Sequence, residues 1–93
     1  MPKVRPLIKE TPMQRIDRVL YANIRRAMVL HSVHDRDAAE AIGVCLRTWE
    51  RKRAEPSCWS VAQLDRLARR LGYASGPAMI AEAEEQERIQ QRA

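Results

Sequence analysis

Residues 38–56 read AAEAIGVCLRTWERKRAEP, and the fold is decided there. Ala38, Ala39 and Ile42 share one face of a short helix, predicted from about Arg36 to Ile42. Gly43–Val44 makes a tight turn, because glycine takes a positive φ without a Cβ clash. A second helix opens near Cys45 and carries Arg47, Thr48, Trp49, Arg51, Lys52 and Arg53. Two helices joined by a short turn containing glycine form a helix-turn-helix pattern, in which the second helix can be laid in the DNA major groove. Trp49 is the only large apolar residue of that helix, so its indole is expected to anchor the core. Leu46, Arg47, Glu50, Arg51 and Arg53 then fall on the flanks or outward. An outward Leu46 can touch a thymine methyl while Arg47 reaches guanine O6 and N7.

Toward the C-terminus, Pro56 stops this helix and Ser60 with Gln63 forms an S-x-x-Q capping box, with Trp59 ahead of it as a staple against Leu64. Val61, Leu64, Leu67, Ala68 and Leu71 make an amphipathic stripe that ends at Gly72. Arg66, Arg69 and Arg70 read as its solubilising face. After the Gly76–Pro77 break a last helix is predicted near Ala78 to Gln90, with only Met79, Ile80, Ala83 and Ile89 to bury. Such a helix is marginal alone, so it either packs its first turns and frays beyond or draws stability from a partner subunit.

Toward the N-terminus, HSVHDRD (residues 31–37) joins two helices, with Asp35 or Asp37 able to cap the second. A long first helix is predicted from Thr11 as N-cap and Pro12 at its first position. Met13, Ile16, Leu20, Ile24, Ala27 and Leu30 or His31 form its apolar stripe, and Arg15, Arg18, Arg25 and Arg26 its polar face. Tyr21 reads as a boundary residue. MPKVRPLIKET (residues 1–11) is basic, broken by proline and without periodicity, and reads as a flexible arm.

The chain has 93 residues and a formal net charge of +5, with 17 Lys and Arg against 12 Asp and Glu. That is enough for one small helical core and too little for a core plus a roomy catalytic cleft. No alternating Val/Ile/Thr-rich run is present, so the expected class is all-α, a compact bundle of four to five helices. The basic balance favours an anionic partner. Residues 74–93 carry two basic and four acidic side chains, an acidic segment expected to lie away from phosphate. No apolar run reaches the roughly 20 residues needed to span a bilayer and no secretory leader is evident, so a cytoplasmic location without membrane contact is expected. His31, His34, Cys45 and Cys58 invite a zinc reading, but the two cysteines lack the close pairing of structural zinc sites. No metal, cofactor or catalytic set is expected, and the chain does not read as an enzyme.

The segment from about Ala38 to Leu71 resembles the Xre/Cro-type helix-turn-helix family of phage and bacterial transcriptional regulators. The resemblance is carried by A-A-E-A-I-G-V at 38–44, Thr48–Trp49, Arg51–Lys52, Pro56 and W-S-V-x-x-L-x-x-L-A-x-x-L-G at 59–72. It covers a third to a half of the chain, and its last pattern is similar to a small phage-encoded branch. The resemblance implies a lambda-repressor-like bundle in residues 12–74, followed by an acidic helix in residues 75–93. It implies double-stranded DNA as partner, Leu46, Arg47 and Arg51 as base-reading residues, and Arg36, Cys45, Thr48, Lys52 and Arg53 as backbone contacts. A homodimer on paired half-sites is expected, since one small domain buries little DNA surface. The alternative is a protein-interaction module, such as an antirepressor, adaptor or antitoxin-like partner, on the same scaffold.

Overall fold

Thr11 opens the first helix through a reciprocal cap: its hydroxyl accepts from the Gln14 amide at 3.1 Å, and the Gln14 carboxamide accepts from the Thr11 amide at 2.8 Å. The computed structural model describes residues 11–92, with side chains as far as Gln90. Apart from Thr11, the arm read over residues 1–11 lies outside them. The described residues form five α-helices: α1 (Pro12–Leu30), α2 (Asp35–Ile42), α3 (Leu46–Lys52), α4 (Val61–Arg70) and α5 (Gly76–Arg92). A 3₁₀ turn at Pro56–Cys58 links α3 to α4. They pack as a compact all-α five-helix bundle, in which α5 lies against α1 and α4, and α2 lies against α3 and α4.

Three helices end the same way. At the end of α1 the Val33 amide returns to the Met28 carbonyl and the Ser32 amide to Val29; at α2, Val44 returns to Ala39 and Gly43 to Glu40; at α4, Tyr73 returns to Ala68 and Gly72 to Arg69. This double closure requires a left-handed residue just past the helix. Gly43 has φ +80° and Gly72 φ +90°, while Ser32 takes φ +56° without the freedom of glycine. Gly72 has a second reason to lack a side chain, since the His31 imidazole lies 3.0 Å from where its Cβ would be.

The core is built from Leu20, Ile24, Met28, Ile42, Trp49, Leu67, Leu71 and Met79, together with the buried Ala38, Ala39, Ala68 and Ala83. Trp49 and Trp59 stack at its centre, with ring centroids 6.1 Å apart and planes 19° from parallel. Several boundary expectations shift. Helix α2 starts at Asp35 with His34 as N-cap, and Asp37 accepts from the His34 amide rather than serving as the cap itself. Cys45 is the N-cap of α3 rather than its first turn. The stripe of α1 turns away from Met13 and Leu30, which are exposed, toward Asp17, Val19, Asn23 and Met28, because this helix packs against different neighbours along its length. Val61 and Ile89 are also exposed.

Helix α5 begins at Gly76, two residues before the predicted start, because α4 caps it. The Asp65 carboxylate accepts from the Gly76 amide at 2.8 Å and also holds Arg69 at 2.8 Å. These donors keep the Asp65 carboxyl below its ordinary pKa, the Gly76 amide first. A Cβ at Gly76 would fall 2.9 Å from both Cα and N of Asp65, so backbone meets backbone.

The glycines therefore rank by cause. Nothing lies within 4 Å of a Cβ at Gly43, so Gly43→Ala should cost only backbone strain, about 1–2 kcal/mol. Gly76→Ala should cost more, about 3 kcal/mol, at the upper end of overpacking. Chemical denaturation of both variants checks the order, and a harmless Gly76→Ala would be incompatible with the α4–α5 contact.

Candidate functional site

Helix α3 is held by one side chain and leaves the others outside. Trp49 is its only buried residue, at 1% exposure. Arg47 and Arg51, one turn apart, fall opposite Trp49 on the helix and are exposed. Lys52 and Leu46 lie on the two flanks, both exposed, and Thr48 is half-buried on the Lys52 side. Arg36, in the first turn of α2, is exposed as well. Among the described residues, the side chains of Arg36, Arg47, Arg51 and Lys52 have no hydrogen-bond or ion-pair partner.

Arg53 differs. Its guanidinium donates to the Asp35 carboxylate at 2.8 Å, which raises its pKa further and commits it within the fold. Asp35 also accepts from the Trp49 indole nitrogen at 2.8 Å and from Arg25 of α1 at 2.9 Å. One carboxylate thus ties α1 and α2 to the middle of α3 and to the residue that follows it. The Trp49 indole hydrogen bond is foremost in holding the Asp35 carboxyl below its ordinary pKa, with Arg53 and Arg25 adding to it. Sequence reading found the indole in the core but not its partner, which lies 14 residues earlier in the chain.

At the start of α3, Cys45 Sγ sits 3.2 Å from Thr48 Oγ1. That contact, with the amides of Thr48 and Arg47, lowers the Cys45 thiol pKa from its ordinary value. Cys58 moves the other way, raised by burial. Between α3 and the start of α2 lies a groove of about 450 Å³, lined by Leu46 and Glu50 on one side and Arg36 and Asp37 on the other. Glu50 was not among the site residues expected from sequence; its exposure on the flank shared with Leu46 was the available signal.

Of the expected residues, Leu46, Arg47, Arg51 and Lys52 share the exposed surface of α3, and Cys45 and Thr48 pair at its start. Arg36 stands across the groove, and Arg53 faces inward to Asp35. Among the described residues, no three His, Cys, Asp or Glu side chains gather where they could hold a metal, and no helix is long and apolar enough to cross a membrane. No protein-family model, curated protein or solved structure matches the chain.

The Asp35 cluster fixes a pH dependence. Its folded pKa lies below the unfolded value, so its stabilisation is fully present above about 3.9, the ordinary carboxyl value, and is lost as pH falls through the lowered folded value. Asp35→Ala should cost about 2–3 kcal/mol, because it leaves the buried Trp49 N–H without an acceptor. Asp35→Asn, which retains an acceptor, should cost less and remove this acid-induced loss. Denaturant titrations across the acidic range measure both effects.

Proposed function

We propose that the chain binds double-stranded DNA sequence-specifically, with α2 and α3 acting as a helix-turn-helix of the lambda-repressor-like kind and α3 entering the major groove. The observation that carries this reading is the division of α3: one buried tryptophan inward, and Arg47, Arg51 and Lys52 outward, without partners among the described residues. With side chains an α-helix is roughly 10–12 Å across, which matches a major groove about 12 Å wide. Arg47 and Arg51 project farthest from Trp49 and are the base readers, each suited to guanine O6 and N7. Leu46 adds apolar contact on one flank. Lys52 and Arg36 contact phosphates, Cys45 and Thr48 approach the backbone at the helix start, and Arg53 acts through Asp35 as much as through its own charge. In this reading the protein is a regulator of transcription.

Leu46 also favours a second reading, a protein partner. It lines a groove with Glu50, Asp37 and Arg36, an apolar contact among charges of both signs.

Selection from random duplex DNA at two salt concentrations tests the first reading. The wild-type chain should enrich a defined site. Arg47→Ala should lose about 1–3 kcal/mol and relax one base position, whereas Lys52→Ala should weaken all sequences alike and reduce the salt slope by about one. A pool with no enriched site, bound weakly and released at moderate salt, would reject the reading and leave the Leu46 groove as the place to look.

A further inference from the structure

The last turn of α1 carries Val29 at 80% and Leu30 at 76% exposure, two adjacent aliphatic side chains outside the core. Their exposure follows from the way the helix ends. Ser32 turns the chain so that Val33 returns over Met28, both buried, and the two residues between them on the helix surface are left outward. Solvated aliphatic pairs of this kind mark contact surfaces when the ground around them is shaped.

Here it is shaped on both sides. Val29 is the crest between two grooves. One, of about 610 Å³, is bordered by Ala27, Leu30 and Tyr73; the other, of about 350 Å³, by Met28 and Val33. A ridge flanked by grooves is complementary to a copy of itself, since each crest can lie in the other's groove about a two-fold axis.

Charge selects the same partner. Arg26 and Glu82 stand on the larger groove, and among the described residues neither is in an ion pair. Arg26 donates to Asn23 and Glu82 accepts from the Tyr73 hydroxyl, so each is held by a neutral side chain. In a two-fold contact, residue i meets residue j and j meets i, so one cation and one anion on the rim supply two ion pairs. Among the described residues, the apolar groove between Met13 and Val61 has Asp17 and Glu84 as its charged neighbours and so offers a second copy no such pairing.

We propose that the Val29–Leu30 crest is a self-association face, on which a second copy of the chain packs with Arg26 of each protomer opposite Glu82 of the other. The inference is independent of DNA binding. Sedimentation of the full chain across a wide concentration range tests it, with circular dichroism confirming that each variant folds. The wild type should show a reversible monomer–dimer equilibrium. Leu30→Glu should weaken it at least about a hundredfold, because both copies of the leucine lose their burial. Arg26→Glu should weaken it, and Arg26→Glu combined with Glu82→Arg should restore it. A chain that stays monomeric throughout, a dimer indifferent to Leu30→Glu, or a charge swap that fails to restore association would each overturn the proposal.

Discussion

The Asp35 carboxylate is the point on which the arrangement of α1, α2 and α3 depends. A tryptophan at 1% exposure needs an acceptor for its indole N–H, and this core offers it a charged one. Charge-assisted hydrogen bonds are stronger than neutral ones, and here three donors from separate elements converge on a single side chain. Arg25 comes from α1 and Arg53 from the residue after α3, so the carboxylate fixes the middle and the far end of α3 relative to the first helix. Both ion pairs are partly solvated, and isolated pairs of that kind contribute little. Their weight here comes from sharing an acceptor with a buried indole, so that loss of Asp35 opens all three contacts together.

Much of this was legible in sequence, and the legible part is local. The caps at Thr11 and Ser60, the glycines at 43 and 72, the stripe of α4 and the inward Trp49 depend on residues within a turn or two of one another. Their physics is contained in short windows. What sequence left unread is tertiary. Asp17 is buried because Ser57, 40 residues later, donates to it through both its amide and its hydroxyl. Asn23 is buried because its side-chain Nδ2 donates to the Gln86 carboxamide oxygen at 2.7 Å across the α1–α5 contact. Polar residues at such positions break the apolar stripe of α1, which is why periodicity pointed to Met13 and Leu30 instead.

The same distinction explains α5. Its apolar stripe is thin, with Met79 and Ala83 buried, Ile80 partly so and Ile89 exposed. Polar ties extend the contact: Glu87 pairs with Arg15 at 3.0 Å, Gln86 meets Asn23, and Asp65 closes the first turn. The acidic composition of this segment therefore has a structural use against the arginine-bearing face of α1. A helix marginal by propensity becomes part of the bundle through partners that its own sequence does not contain.

In a chain of net charge +5, composition alone says only that an anion would be attracted. The structure divides the cations by what holds them. Arg15, Arg25, Arg53 and Arg69 are each in an ion pair, and Arg66 donates to the Ala41 carbonyl at the end of α2. Their charges are matched, or their donors are occupied, by the fold itself. Arg36, Arg47, Arg51, Lys52 and Arg70 have no such partner among the described residues, and three of these five lie on the helix that Trp49 anchors. A short helix fixed by one buried ring and one carboxylate, with its unmatched cations on the far side, can present charge without rearranging. That preorganisation, more than the number of arginines, is the physical basis for the proposal that α3 meets phosphate and base edges.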